Sequence, residues 1–332
     1  MMQTRLGGAV ALALGWLVFA QPAEQERRNA TPPVPLADHH QHLFSPELAA
    51  LMTTTPPVAA VKPRTAANLI EQLDAAGIRR AVVLSTAYIF EQPSRKADHA
   101  ADKLKRDNDW TSKQVAQFPD RLIGFCGLNP LKDYALAELD RCAADPNLRR
   151  GLKLHFGNSD VNLTEPAHLA RLREVFALAN RQGMAIVVHS RTTISKQRPY
   201  GAAHARAFLS LLEAAADVPV QIAHLGGAGT YDEPAVDEAI GVFADAIAAK
   251  DPRVRHLWFD VSGIAGYGEW ATRKKRVAER LRQLGLRRIL YGSDGAGGDN
   301  LAPAAAWKAF TEIPLAPAEI ETIRTNVAPY LR

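Results

Sequence analysis

Short apolar segments alternate with amphipathic segments along most of this chain. Eight apolar segments have the length and composition of buried strands, and the segments between them repeat apolar residues at helical spacing. The predicted strands are residues 35–42, 80–86, 122–128, 151–156, 185–189, 220–224, 256–262 and 288–293. Strands that alternate with helices are typical of a parallel α/β sheet. We therefore predict an α/β fold, and specifically a (β/α)8 TIM barrel.

The barrel is predicted to occupy residues 35–332, with no second domain. A barrel of this type commonly uses about 250 residues, so the 332-residue chain has room for one barrel with longer loops. Residues 45–63 include Pro56, Pro57 and Pro63 and are predicted to form a long first loop. An open, doubly wound sheet is the alternative fold. It would not need eight units, and no Gly-x-Gly-x-x-Gly turn follows an early strand.

Histidine and aspartate residues recur at nearly constant spacing near the ends of the predicted strands. His155, His189, His224, Asp260 and Asp294 follow one another at intervals of 34, 35, 36 and 34 residues. In a (β/α)8 barrel the carboxyl ends of the strands meet at one face, where active sites are built. The spacing therefore predicts that these side chains surround one barrel mouth.

The first predicted strand ends in a second cluster of polar residues. His40 and His42 are two positions apart, so both imidazoles are expected on one face of the strand. Asp38 shares that parity, whereas His39 is expected to point the other way and not to be a ligand. Imidazole and carboxylate groups are common zinc ligands. Together with the strand-end residues downstream, this pattern predicts a divalent metal site.

The ordered set Asp38-x-His40-x-His42, His189, His224 and Asp294 resembles the amidohydrolase superfamily. The resemblance is closer to the amidohydrolase-related branch, which includes aminocarboxymuconate-semialdehyde decarboxylase-like enzymes. Further runs that support it are residues 118–122, 151–155, 224–227 and 291–294. The similarity extends from about residue 36 to residue 331. These motifs are specific for the superfamily and not for a substrate.

The resemblance implies one divalent metal ion, zinc or else manganese, bound by His40, His42, His189 and Asp294. It also implies that Asp294 acts as the general base and that His224 polarises the substrate or carries a proton. The structural alternatives are a core histidine bonded to backbone for His224 and a helix N-cap for Asp294.

Four further residues are expected near the site. Lys153 is interpreted as a substrate-binding or supporting group; a carboxylated bridge between two metal ions, found in some superfamily members, is the alternative. His155 is expected to face the substrate or to support the ligands, with a purely structural role as the alternative. Arg191 is a candidate for binding a substrate carboxylate, or else a solvated loop charge. Asp260 is expected mainly to support the barrel mouth.

The N-terminal residues have the pattern of an export signal. Residues 1–5 carry one charged side chain, residues 6–20 are apolar, and Val18-Phe19-Ala20 suits a cleavage site. We predict a signal peptide over residues 1–20 and a linker over residues 21–34. An uncleaved membrane anchor is the alternative, although the run is short for a spanning helix. Cleavage would leave a periplasmic or secreted protein without a membrane anchor.

Composition and charge limit the kinds of partner that the protein is expected to bind. The net charge of +5 is modest and the basic residues are scattered, which argues against nucleic-acid binding. A small-molecule substrate is expected, and a homodimer is compatible with the sequence. Cys126 and Cys142 could pair in an exported protein, but we favour two separate buried thiols.

Three functions are compatible with these sequence features. The first is a metal-dependent hydrolase that uses a metal-activated water to cleave an amide, ester or lactone bond in a small organic substrate. The second is a metal-dependent, non-oxidative decarboxylase of an aromatic or unsaturated carboxylic acid, against which export argues mildly. The third is a non-catalytic metal-binding or solute-binding barrel, which the intact base candidates Asp294 and His224 disfavour.

Overall fold

Eight parallel strands pair in sequence order to form the central sheet. They are β1 Ala37–Gln41, β2 Arg80–Leu84, β3 Leu122–Gly127, β4 Gly151–His155, β5 Ala185–His189, β6 Val220–Ile222, β7 Leu257–Asp260 and β8 Ile289–Leu290. Two backbone bonds close the barrel: His39 N donates to Tyr291 O, and Asp294 N donates to His40 O, both at 2.9 Å. The predicted (β/α)8 TIM barrel is confirmed, and the doubly wound alternative is wrong.

The computed structural model describes residues 33–53, 60–192, 200–228, 231, 234–266, 270–296 and 300–332. Within these ranges, Val34–Arg332 form one compact unit. The predicted signal peptide, residues 1–20, and most of the predicted linker, residues 21–34, lie outside the described residues. No helix in the described part of the chain is long and apolar enough to cross a membrane.

Helices follow the strands and cover the outside of the barrel. They are α1 Pro46–Thr53, α2 Ala66–Ala76, α3 Ala100–Val115, α4 Ala135–Ala144, α5 Pro166–Arg181, α6 Ala202–Leu211, α7 Ala235–Ala248, α8 Trp270–Leu284, α9 Pro303–Phe310 and α10 Pro317–Thr325. Most of them lie in the segments between strands where apolar residues recur at helical spacing.

Helix α1 corrects the prediction of a long loop over residues 45–63. Leu48 N donates to Ser45 Oγ at 3.1 Å, which caps the helix, and Pro46 occupies its first turn. Leu48 and Ala49 are buried against the barrel mouth in a cluster with Phe44 and Tyr88. This helix leaves little signal in the sequence, because it is only eight residues long and prolines follow it at positions 56, 57 and 63.

Strand β1 contains a register irregularity that the strand parity did not predict. Its pairing with β2 shifts between Asp38 and Gln41, so three steps along β1 match two along β2. Such a bulge inverts the alternation of side chains. The Asp38 carboxylate consequently lies apart from the His40 ring and accepts hydrogen bonds from His40 N at 3.0 Å, Gln41 Nε2 at 2.7 Å and Ser293 Oγ at 2.6 Å. The predicted shared face of Asp38 and His40 is wrong.

The two cysteines are joined. Cys126 of β3 and Cys142 of α4 form a disulfide with their Cα atoms 6.0 Å apart, and both are fully buried. The preference for two separate thiols is therefore wrong. β3 directs Cys126 outward against the face of α4 that carries Cys142, a relationship between elements that sequence spacing does not report.

Candidate metal centre

The carboxyl ends of the strands surround a pocket at the barrel mouth. Seven of the nine residues predicted at or near the site line it: His40, His42, Lys153, His155, His189, His224 and Asp294. Arg191 is not among the described residues that line it. The remaining wall is partly apolar, with Phe44, Met52 and Ile89, and partly polar, with Thr86, Tyr88, Asn158 and Asn300.

His40 is held from behind by a buried carboxylate. Its Nδ1 lies 3.0 Å from Asp260 Oδ2 and 3.0 Å from Ser262 Oγ. Burial opposes ionisation of Asp260, but His40, His224 and Ser262 together hold the pKa of its carboxyl well below its usual range. Since the carboxylate can only accept, His40 Nδ1 carries the proton and Nε2 presents a lone pair to the pocket.

His42 has the same orientation. Its Nδ1 lies 2.6 Å from the backbone oxygen of Leu84, so Nδ1 donates and Nε2 is left as an acceptor. That Nε2 is 3.2 Å from His40 Nε2 and 3.4 Å from Asp294 Oδ1. Burial, with the neighbouring His40, lowers the pKa of His42 well below its usual value. The imidazole is therefore neutral at pH 7 and able to bind a metal ion.

His224 enters the pocket from a left-handed turn rather than from a strand. β6 ends at Ile222, and His224 has φ 54°, where the predicted strand was expected to continue. Its backbone N donates to Asp260 Oδ1 at 3.0 Å, and its Nδ1 lies 2.8 Å from Ser262 O. Burial lowers the pKa of His224 to about 4. The ring is neutral with Nε2 as an acceptor, so the alternative of a purely structural histidine is not favoured.

Asp294 adds a carboxylate to this group of histidines. It has φ 53°, and its Oδ2 accepts a hydrogen bond from Asn300 Nδ2 at 2.8 Å. Ligand atoms of His40, His224 and Asp294 lie within 4.8 Å of one another. Among the described residues the next helix begins only at Pro303. The helix N-cap alternative for Asp294 is therefore wrong.

His189 and His155 form a stacked pair with different roles. Their ring centroids are 3.8 Å apart at an interplanar angle of 11°. His189 Nε2 is buried without a hydrogen-bond partner, and such an atom is costly unless a ligand satisfies it. Asn158 N donates to His155 Nδ1 at 3.1 Å, so a neutral His155 carries its proton on Nε2. His155 is set as a donor, unlike His40, His42 and His224.

Lys153 lies within the centre itself. It is buried on β4, and its Nζ is 3.3 Å from His40 Nε2. Burial lowers the pKa of Lys153 to about 8. An amine with a pKa this near neutrality loses its proton far more easily than a surface lysine.

Arg191 lies beside the pocket rather than in it. Its guanidinium is 5.6 Å from the Tyr200 ring centroid, and the residue is only 4% exposed. This burial corrects the alternative of a solvated loop charge. Contact between Arg191 and a substrate stays a prediction.

Sequence reasoning missed several polar residues that support the ligands. Ser262 contacts both His40 and His224, and Gln221 Nε2 donates to Asp260 Oδ2 at 2.6 Å. Asn300 fixes the Asp294 carboxylate. Gln221 did leave a signal, because it is a polar residue between Val220 and Ile222 in a buried strand. The hydroxyl contacts of Ser262 left no such signal in the sequence.

The donor set fits a divalent metal ion. Three imidazoles present Nε2 lone pairs, His189 Nε2 lacks a partner, and Asp294 adds a carboxylate oxygen. Nitrogen and carboxylate donors of this kind suit zinc and other first-row divalent ions.

The family model "Amidohydrolase" matches residues 37–326, and the chain belongs to that family. Its members bind a divalent metal ion, and decarboxylases are among the related structures. The search of curated proteins gave no match.

Solved structures with the same barrel include both hydrolases and decarboxylases. A probable 2-pyrone-4,6-dicarboxylic acid hydrolase from Acinetobacter baumannii, with citric acid bound, is 19% identical at a TM-score of 0.56, over 87% of this chain and 96% of that one. 2,6-Dihydroxybenzoate decarboxylase complexed with 2,6-dihydroxybenzoate is 18% identical at a TM-score of 0.60, over 88% of this chain and 97% of that one. 5-Carboxyvanillate decarboxylase from Novosphingobium aromaticivorans, complexed with manganese, is 14% identical at a TM-score of 0.58, over 89% of this chain and 95% of that one. At these identities the likeness shows the fold alone.

Proposed function

We propose that this chain is a metal-dependent hydrolase that cleaves an amide, ester or lactone bond in a small organic substrate. The observation that carries the proposal is the pair of proton acceptors at the pocket floor. The carboxylate of Asp294 and the neutral Nε2 of His224 lie within 4.8 Å of each other and of His40. Two acceptors facing one point can orient a water molecule and take its proton.

The metal would be held by His40, His42, His189 and Asp294, as the resemblance implies. The unpartnered His189 Nε2 and the fixed Nε2 lone pairs of His40 and His42 support this ligand set. The chemistry supplied there would be Lewis acidity, which polarises a carbonyl and lowers the pKa of water towards about 7. Zinc is our first candidate, and manganese is the second.

The protein groups then divide the proton transfers. Asp294 would accept the proton of the attacking water and return it to the leaving group, with Asn300 Nδ2 fixing its carboxylate at 2.8 Å. His224 would hold that water through Nε2, since its Nδ1–H is engaged by Ser262 O. Lys153 and the Nε2–H of His155 are donors that also line the pocket and would bind a substrate oxygen.

The rest of the pocket suits a small substrate with an apolar body. Phe44, Met52 and Ile89 line one side, and Tyr88 packs its ring 5.2 Å from that of His155. Arg191, held over Tyr200, would meet a carboxylate of a substrate that extends beyond the pocket.

The hydrolase proposal is tested with a panel of lactones, aryl esters and anilides in ¹⁸O-labelled water. We expect one ¹⁸O atom in the acid product. Asp294→Asn is expected to reduce kcat about 10³-fold, because catalysis by a positioned base contributes on the order of 10²–10⁴. Full activity of Asp294→Asn would contradict the assigned base.

Decarboxylation of an aromatic or unsaturated acid is the second candidate. The observation that favours it is the donor wall of Lys153 and His155, which could hold a carboxylate against a flat ring lying beside Tyr88. It predicts release of CO₂ from dihydroxybenzoates or similar acids, with deuterium from D₂O at the carbon that lost the carboxylate. If CO₂ is released and no ¹⁸O enters the product, the protein is a decarboxylase and the hydrolase proposal is wrong.

We propose further that the protein works in the periplasm or outside the cell. The disulfide between Cys126 and Cys142 supports an oxidising compartment. Fractionation of cells that express the full chain, together with N-terminal sequencing, tests this, and cleavage after residue 20 is expected.

A further inference from the structure

Tyr330 lies at the opposite end of the barrel from the pocket. It belongs to the short 3₁₀ helix Pro329–Leu331, and its ring packs edge-on against Phe125 at a centroid distance of 5.0 Å. The same interior cluster contains Ala37 and Ala185, the first residues of β1 and β5. Tyr330 therefore fills the base of the barrel, where residues ordinarily contribute to stability rather than to chemistry.

A continuous path of buried hydrogen bonds leads from Tyr330 to the centre. Its hydroxyl donates to Gln221 Oε1. Gln221 Nε2 donates to Asp260 Oδ2 at 2.6 Å, and the same oxygen lies 3.0 Å from His40 Nδ1. Gln221, Asp260 and His40 are fully buried, and Tyr330 is 7% exposed.

Each bond in this path fixes the direction of the next. The Asp260 carboxylate can only accept, so Gln221 must present its amide nitrogen there and its oxygen to Tyr330. Tyr330 must then donate, and burial keeps its hydroxyl protonated by raising its pKa. At the other end, His40 must donate from Nδ1, which leaves its Nε2 lone pair in the pocket.

The backbone around Tyr330 is anchored independently of the hydroxyl. Ala328 N donates to His39 Nε2 at 3.2 Å, Arg150 Nη1 donates to Tyr330 O at 3.3 Å, and Arg80 donates to Leu331 O. Removal of the hydroxyl alone is therefore expected to leave the segment seated.

We propose that Tyr330 and Gln221 are positioning residues of the metal centre. They orient the Asp260 carboxylate across the barrel, and through it they set His40 Nε2 for metal binding. The inference rests on the proposed function, because it takes His40 as a metal ligand.

The test measures metal binding rather than turnover. Tyr330→Phe and Gln221→Met are stripped with a chelator and titrated with Co²⁺, with affinity measured by competition with a chelating indicator. Loss of a supporting hydrogen bond behind a ligand typically weakens metal binding about 10- to 100-fold. We expect about that loss in Gln221→Met and about threefold to tenfold in Tyr330→Phe, each with an altered visible Co²⁺ spectrum.

Tyr291→Phe is the matched control. It also removes one buried hydroxyl, which donates to Pro303 O at 2.6 Å outside the path. Its melting temperature should fall about as much as that of Tyr330→Phe, with wild-type Co²⁺ affinity and spectrum. In an Asp260→Asn background, Tyr330→Phe should cause no further loss of Co²⁺ affinity. The effects of substitutions at residues that act through one another do not add.

The outcomes separate the two proposals. If Tyr330→Phe and Gln221→Met match Tyr291→Phe in affinity and spectrum, the positioning role is overturned. The positioning role is also overturned if Tyr330→Phe lowers Co²⁺ affinity as much in the Asp260→Asn background as in the wild type. If the wild-type protein binds no Co²⁺, the proposed metal-dependent function itself fails, and this inference fails with it.

Discussion

Asp260 Oδ1 accepts the backbone N–H of His224 at 3.0 Å, while Oδ2 of the same carboxylate lies 3.0 Å from His40 Nδ1. One buried charge thus fixes the backbone of one site histidine and the ring of another. The first bond also holds His224 in the left-handed region, at φ 54°, where a residue other than glycine needs such support.

Asp260→Asn is the first prediction. Every group at this carboxylate donates, with His224 N on Oδ1 and Gln221 Nε2 on Oδ2. The NH₂ of an asparagine would take the place of one of these oxygens and present donor hydrogens to the groups that donate there. We expect metal affinity to fall about 100-fold and the free energy of unfolding to fall by about 3 kcal/mol. Metal titration and denaturant unfolding measure the two effects.

Asp237→Asn is its control. Asp237 pairs with Arg276 at 2.6 Å and Arg280 at 2.7 Å, on helices outside the barrel. Its loss should lower stability and leave metal affinity unchanged. Equal loss of affinity in both variants would show a general effect of destabilisation.

Gly292→Ala is predicted to disturb the centre through a single methyl group. A Cβ at Gly292 would lie 2.7 Å from His40 Cβ and 3.3 Å from His40 N, so His40 must shift. Because ligand placement decides metal binding, we expect at least about a tenfold loss of metal affinity. Gly183→Ala is the comparison, since it meets nothing within 4 Å and has φ +68°. It should cost about 1 kcal/mol of stability with normal metal affinity.

Asp107 is predicted to make stability depend on pH. Burial raises the pKa of its carboxyl to about 7, against an opposing hydrogen bond from Ser45 Oγ at 2.5 Å. The folded state therefore binds the proton more tightly than the unfolded state. Its contribution is fully present below about pH 4 and is lost as pH rises through about 7.

Asp107→Asn removes this dependence. Relative to the wild type, the unfolding free energy of the variant should rise between pH 4 and pH 8 by up to about 4 kcal/mol and then level off. Denaturant unfolding at a series of pH values measures the difference. A constant difference over this range would mean that Asp107 titrates normally.

The Cys126–Cys142 disulfide is predicted to stabilise the fold. The two residues are 16 positions apart, and closing a loop of that length in the unfolded chain is worth about 3 kcal/mol. The double variant Cys126→Ala/Cys142→Ala should lose about this much in thermal or denaturant unfolding, with metal binding retained. Two alkylatable thiols in unfolded, non-reduced wild-type protein would contradict the bond.

The sequence by itself determined the barrel and most of the residues at its mouth. Eight apolar segments at regular spacing could satisfy their backbone and bury their side chains only by alternating with helices. The same spacing placed His189, His224 and Asp294 at strand ends, and the pocket brings them together with His40 and His42. The resemblance read from these motifs is confirmed by the family match.

The tertiary structure decided which groups form hydrogen bonds with those residues from outside the pocket. The bulge in β1 turned the Asp38 side chain away from the His40 ring, and the packing of β3 on α4 joined Cys126 to Cys142. Donor and acceptor roles of the histidines depend on Leu84 O, Ser262 O, Asp260 and Asn158 N. The periodicity of the sequence indicates only which face of a strand or helix carries a side chain. Strand register and the donor or acceptor role of each histidine depend on partners that are distant in sequence.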